Sequence, residues 1–217
     1  MAEPARTFEQ PHERSTGLHA LGLGEAIIRV AVLRGLVARR TCTAFDPPSY
    51  PGTVQWAQTH RAIRELHVEL EWTPSDANNF SRLISPSGAV AVTVATGDEY
   101  TGRNGVLEPK TKYPKGTETK LAVEINAAQL SLWPAPGSVA VGGSRQALWV
   151  LLIATNAEEV RYELSRPRGQ DEKGRVVSWS DRIIFEPIEI ESIATQGQEG
   201  DDEDEGTSDI DVPVERI

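Results

Sequence analysis

The pattern of apolar and polar positions is clearest between Ala147 and Ile190, where it predicts the centre of a β-sheet. A continuous apolar run from Leu148 to Ile153 is followed by a polar turn at residues 156–159. From Val160 to Leu164, apolar and polar residues alternate, which is typical of a half-buried strand. These two strands and their short connection predict an antiparallel hairpin. The β-branched residues between 176 and 190 predict further strand structure after a second loop.

Helical patterns precede this sheet. Residues Gly24 to Arg40 are apolar around most of the helix circumference, with Glu25 near the start and two arginines at the end, as the helix dipole favours. A second helix is expected to begin at Thr53, after two proline-containing turns. The segment Leu66–Trp72 alternates as in a strand, yet it also continues a helical stripe. We predict that the helix extends into the high sixties.

After residue 84 the apolar positions recur with a period of two. Residues 89–97 and Leu121–Ile125 are predicted strands, and a long polar loop from Asp98 to Lys120 lies between them. Helices that come first and strands that follow predict an α+β fold. In this fold, N-terminal helices pack on a mainly antiparallel β-sheet.

The same pattern, together with charge, predicts the domain organisation. We expect a flexible N-terminal arm over residues 1–16, a single α+β domain over 17–193 and a disordered acidic C-terminal tail over 194–217. Residues 198–217 hold nine acids and one arginine, so they carry −8 of the formal net charge of −10. The remaining chain is nearly neutral, and its overall charge neither requires nor excludes an anionic partner.

Composition favours a cytoplasmic location. The single cysteine, Cys42, excludes an intrachain disulfide and a zinc site with several cysteines, and it is compatible with a reducing compartment. The polar N-terminus differs from a secretory signal. The apolar residues 26–38 are interrupted by arginines and are too short to span a bilayer. We therefore expect a soluble protein that does not associate with membranes.

The most suggestive chemistry lies in the loop from Asp98 to Lys120, which combines basic residues with several glycines and threonines. Exposed amides, cations and hydroxyls bind phosphate, and a tyrosine can stack on a base. The spacing from glycine to lysine differs from that of a P-loop. The alternative interpretation is a solvated connection or a protein-contact surface. The candidate residues for phosphate or nucleic-acid binding are Thr101, Arg103, Lys110, Lys112, Tyr113 and Lys115.

Catalytic and metal-binding patterns are weak in this sequence. Asp98, Glu99 and Glu124 lie at or near predicted strands, and a metal-dependent hydrolase would need them to converge on one cation. The histidines come in pairs seven residues apart, about 10 Å along a helix, so we interpret them as surface or helix-edge residues. We predict no catalytic residue, no metal ligand and no cofactor. Trp133, which precedes Pro134 and Pro136 in a loop-like segment, is the candidate contact for a protein partner, because aromatic residues anchor interfaces.

Three functional hypotheses follow. The first is a non-enzymatic accessory or scaffold subunit of a cytosolic multiprotein system, acting through the 98–120 loop, the Trp133 region and the acidic tail. The alternative is a nucleic-acid or nucleotide-phosphate binding module that uses the same basic loop. The third and weakest is a metal-dependent hydrolase.

Overall fold

The computed structural model describes residues 4–105, 107–130 and 146–190. In these ranges, four α-helices and eight β-strands form the α+β fold that the sequence predicts. The helices are α1 (Pro11–Leu21), α2 (Glu25–Arg40), α3 (Tyr50–His67) and α4 (Thr117–Leu130). The strands are β1 (Arg6–Phe8), β2 (Thr73–Ser75), β3 (Arg82–Ile84), β4 (Val90–Thr96), β5 (Ala147–Thr155), β6 (Glu159–Gln170), β7 (Val176–Ile184) and β8 (Ile188–Glu189).

All eight strands belong to one sheet, in the order β1-β7-β6-β5-β4-β3-β2, with β8 paired to β6 beside this path. Most neighbours are antiparallel, including the predicted β5–β6 hairpin. Two pairs, β1–β7 and β4–β5, are parallel. Parallel neighbours cannot be joined by a hairpin, so the chain must cross back between β4 and β5. Helix α4 lies on this crossover.

The sheet separates two hydrophobic cores. Helices α1, α2 and α3 cover one face, where Ile28 and Ile63 belong to the same buried cluster as Leu151 of β5. Helix α4 covers the other face, where Val123 packs in a second cluster with Val150 of β5. Successive strand residues point to opposite faces, so a strand covered on both sides is apolar throughout. This explains the continuous apolar run in β5.

The predicted helices before the sheet are confirmed, with one shifted start. Helix α2 matches the segment predicted from Gly24 to Arg40. Helix α3 begins at Tyr50 rather than at Thr53, with Pro51 in its first turn, where the missing amide hydrogen is tolerated. It extends to His67, as predicted. None of the helices in the described ranges is long and apolar enough to cross a membrane.

The prediction of a strand over Leu121–Ile125 is wrong, because these residues lie inside α4. Five residues are too few to distinguish a period of two from a helical period. Val123 is buried against the sheet, whereas Leu121 and Ile125 are exposed. Apolar residues therefore occur on both sides of the helix and obscure its amphipathic pattern.

The flexible arm predicted over residues 1–16 is also not observed in its described part. Strand β1 pairs in parallel with β7, and the Arg6 guanidinium forms an ion pair with Asp181. In α1, the buried Arg14 donates a hydrogen bond of 3.3 Å from Nε to Glu25. Strand pairing and ion pairs between distant residues hold this polar segment, and composition does not reveal such contacts.

Two further predictions lie outside the described residues. These are the protein contact at Trp133 and the disorder of the acidic tail over 194–217. Both stay predictions.

Candidate functional site

A crevice of about 610 Å³ opens at the carboxyl ends of the parallel strands β4 and β5. Its walls include Thr96 and Asp98 at the end of β4, and Thr155 and Asn156 at the end of β5. Gly52, in the first turn of α3, also contributes to the lining. The volume is within the range of about 300–1,000 Å³ that is usual for small-molecule sites. Open sheets with helices on both faces commonly bind ligands at the carboxyl ends of their parallel strands.

Four cationic side chains from three parts of the fold line the crevice: Arg39 at the end of α2, Lys112 and Lys115 in the 98–120 loop, and Arg161 on β6. The Arg161 side chain is only 13% exposed and pairs through Nε with Glu159 at 2.7 Å. Its Nη1 is buried and has no hydrogen-bond partner within the described residues. Burial lowers the pKa of Lys115, because desolvation disfavours the ammonium ion. An anion bound in the crevice would compensate the desolvated ammonium of Lys115.

Two partly exposed aromatic rings face the same space. The Trp56 indole is 38% exposed, and its Nε1 donates a hydrogen bond of 2.9 Å to the Val94 carbonyl of β4. This bond fixes the ring at the crevice wall. Tyr113 is 53% exposed, and the Lys112 ammonium lies 5.8 Å from the centre of its ring. The rings offer apolar surfaces on which a planar group can stack.

Two carboxylates, Asp98 and Glu99, also line the crevice. The pKa of Asp98 is raised, chiefly by burial and to a smaller extent by the negative charge of Glu99. The Tyr100 amide donates to Asp98 Oδ1 at 3.2 Å, which partly opposes this rise. The lining is therefore mixed in charge, with cations in excess.

Backbone hydrogen bonds hold the part of the loop that carries the two lysines. The Lys112 amide donates to the Thr96 carbonyl at 2.9 Å, and the Lys115 amide donates to the Gly174 carbonyl at 2.9 Å. The same loop is also bonded to β7, because the Trp179 indole of that strand donates to the Pro109 carbonyl at 2.7 Å. The loop is thus packed on the sheet, and the backbone positions of both lysines are determined.

The six candidate residues of this loop do not share one site in the structure. Lys112, Tyr113 and Lys115 line the crevice. Arg103 and Lys110 are exposed elsewhere on the loop, outside the crevice lining. Thr101 is buried, and a Cβ built on Gly97 would lie 2.0 Å from its hydroxyl oxygen. Thr101 therefore fills space beneath the loop and does not face a ligand.

The carboxylates of the hydrolase hypothesis do not converge. Asp98 and Glu99 reach the crevice, but Glu124 is exposed on α4 and is not part of its lining. Across the ranges that the structure describes, no three His, Cys, Asp or Glu side chains lie close enough together to hold a metal ion. His60 and His67 are buried in α3 rather than at its surface, and burial lowers the pKa of both.

Sequence reasoning missed Arg39, Trp56 and Arg161, which come from three elements far apart in the chain. These residues could have been grouped if residues 117–130 had been recognised as a helix. A helix between β4 and β5 would have indicated a parallel pair, whose carboxyl ends meet at one edge of the sheet. The residues that follow both strands would then have been grouped as one candidate site.

Comparisons with protein-family models, curated proteins and solved structures found no significant match to this chain. Function therefore has to be inferred from the geometry and chemistry of the crevice.

Proposed function

We propose that this protein is a non-enzymatic binding module that holds a phosphate-bearing ligand of the nucleotide class in the crevice beyond β4 and β5. One observation carries the proposal: a crevice of ligand size combines four cationic side chains with two accessible aromatic rings. Phosphate oxygens accept charge-assisted hydrogen bonds from ammonium and guanidinium groups. A planar base gains from stacking on an aromatic ring.

The distribution of groups supports a ligand with two chemically different ends. Lys112 and Lys115 can donate to a phosphate group, and the Arg161 guanidinium, whose Nη1 is buried, adds positive charge to the crevice lining. Trp56 is held by its indole hydrogen bond, so its ring loses little freedom when a base stacks on it. Asp98 and Glu99 restrict how much negative charge the site accepts, which favours a small anion over a long nucleic-acid backbone.

The direct test replaces Lys112 and Lys115 together by alanine and measures ATP binding by isothermal titration calorimetry. We expect the affinity to fall by at least about tenfold, because a hydrogen bond to a charged group contributes about 1.5–3 kcal/mol. Wild-type affinity should also weaken between about 50 and 300 mM salt, as screening predicts.

A matched control replaces Arg103 and Lys110 by alanine. These substitutions remove the same charge from the same loop, but at positions outside the crevice. Affinity for ATP should then stay within about twofold, since exposed charges are strongly screened. Trp56→Leu should weaken ATP binding by roughly fivefold or more and leave inorganic tripolyphosphate unchanged, because stacking contributes about 1–3 kcal/mol per base. Equal losses in both double variants would contradict a site in the crevice.

A second candidate function, an accessory subunit of a cytosolic multiprotein system, is supported by a different surface. A groove of about 450 Å³ on α2 and α3 is lined by the apolar Val30, Leu33 and Val37 and also by the charged Arg34, Arg61 and Glu65. Val30 and Val37 are 39% and 52% exposed. Exposed apolar residues that cluster in a groove are typical of protein-contact surfaces.

For this candidate, we expect Val37→Glu to abolish recovery of a protein partner that the tagged wild type retains from nuclease-treated host lysate. A charge in an apolar contact is strongly unfavourable. The control is Leu121→Glu, which places the same charge at an exposed apolar position of α4, outside the groove. Loss of the partner from both variants would count against this surface. Failure of the unaltered protein to recover a partner would also count against it.

A further inference from the structure

We infer that the crevice has an intramolecular occupant, the acidic segment over residues 199–205 of the same chain, which competes with the anionic ligand. The inference rests on the proposed anion-binding function of the crevice. It follows from where the described chain ends, from the charge of the residues that follow, and from the charge of the crevice.

The described chain ends at Ile190, which contacts two residues close in sequence to the crevice lining. Strand β8 pairs with the start of β6, and the Ile190 amide donates a hydrogen bond of 2.8 Å to the Glu158 carbonyl. The guanidinium of Arg40 donates to the Ile190 carbonyl at 3.5 Å. Asn156, two residues before Glu158, and Arg39, the neighbour of Arg40, both line the crevice. The chain therefore leaves the described fold next to two residues whose sequence neighbours line the crevice.

Charge is complementary across this short distance. Residues 201–205 are five consecutive acids, and Glu199 precedes them. This segment begins nine residues beyond Ile190. Nine residues of chain span at most about 30 Å, so the acids that follow them can come within reach of the crevice. The crevice offers Arg39, Lys112, Lys115 and Arg161 to them, and these four cations exceed the two lining carboxylates, Asp98 and Glu99.

Tethering makes this competition effective even if each contact is weak. A segment joined by a short linker acts at an effective concentration in the millimolar range. A free anion below that concentration has to displace the segment, so its apparent affinity falls. The competition should weaken as salt rises, because both partners are charged and accessible to solvent.

The test uses the full chain and inorganic tripolyphosphate as the probe. In one variant, Asp202→Asn, Glu203→Gln, Asp204→Asn and Glu205→Gln remove four charges from the acidic segment. In the control, Glu69→Gln, Glu71→Gln, Glu124→Gln and Glu172→Gln remove four charges from exposed positions of the folded body outside the crevice. Both variants have the same net charge, so a difference between them reports position and not total charge.

We expect the segment variant to bind tripolyphosphate at least about threefold more tightly than the control variant at about 20 mM salt, with the ratio approaching one at about 300 mM. A second readout is zero-length carbodiimide cross-linking of the unaltered chain. Mass spectrometry should find Lys112 or Lys115 joined to a carboxylate of residues 199–205, and tripolyphosphate should suppress this product.

The outcomes separate the two proposals. Equal tripolyphosphate affinities in the two variants, without the cross-link, would overturn the intramolecular competition and leave the anion-binding function intact. No tripolyphosphate binding in any variant would overturn the proposed function. In that case, absence of the cross-link would overturn the intramolecular contact as well.

Discussion

Replacing Glu163 by alanine is expected to lower the free energy of unfolding by about 3–5 kcal/mol, the range observed when one partner of a buried ion pair is removed. The Glu163 side chain is fully buried on β6 and pairs with Arg182 of β7, at 2.6 Å to Nη2 and 3.0 Å to Nε. It also accepts hydrogen bonds from the Gly102 amide and the Ser165 hydroxyl. Alanine would leave the buried Arg182 guanidinium without its counterion.

Urea denaturation monitored by tryptophan fluorescence measures this loss. A double variant, Glu163→Leu with Arg182→Met, should be more stable than Glu163→Ala alone, because it removes both charges instead of stranding one. Arg61→Ala serves as a control, since the Arg61–Glu65 ion pair is exposed and should contribute little. A Glu163→Ala protein as stable as the wild type would show that the buried pair is not needed for the fold.

Replacing Asn126 by leucine is expected to lower the free energy of unfolding by about 3 kcal/mol or more. The β5–β6 register pairs Val150 with Ser165, and its continuation would place Leu148 opposite Pro167. Proline has no amide hydrogen, so it cannot donate to the Leu148 carbonyl. The buried side chain of Asn126, from α4, takes its place.

The Asn126 amide makes three hydrogen bonds to the sheet. Its Nδ2 donates to the carbonyls of Leu148 at 2.9 Å and Pro167 at 3.0 Å, and its Oδ1 accepts from the Leu148 amide at 3.0 Å. Leucine has a similar volume but would leave these three buried backbone groups unpaired, at about 1–3 kcal/mol each.

The measurement is again urea denaturation, with Glu124→Leu on the exposed side of α4 as the control for helix propensity and apolar surface. Adding Pro167→Ala to Asn126→Leu should recover part of the loss, because it restores an amide hydrogen that can donate to the Leu148 carbonyl. If Asn126→Leu were as stable as Glu124→Leu, the amide would have no structural role.

The sequence predicted local elements well wherever burial follows a simple period. Helix α2 was recognisable because it buries a regular set of positions, and the β5–β6 hairpin because a continuous apolar run, a polar turn and an alternating segment follow one another in the sequence. Helix α4 was not, since it buries Val123 and the polar Asn126 but exposes Leu121 and Ile125. Its burial follows the sheet that it covers, and this sheet is assembled from strands on both sides of α4 in the chain.

The residues of the candidate site could also be predicted only in part from the sequence. The composition of the 98–120 loop identified Lys112 and Lys115 as potential anion ligands, but it identified Arg103 and Lys110 on the same grounds. Only the folded path of the loop, held at Thr96 and Gly174, separates these two pairs. Residue types show which side chains can bind an anion, whereas the folded path of the chain decides which of them lie together.

The sequence by itself determined the α+β class, the central hairpin, the first long helices and the uneven distribution of charge, because all of these depend on neighbouring residues. The tertiary structure alone decided that β4 and β5 are parallel, that α4 covers the second face of the sheet, and that Arg39, Trp56 and Arg161 share one crevice with the loop lysines. These contacts join residues distant in the chain, and their energies depend on how the sheet is assembled.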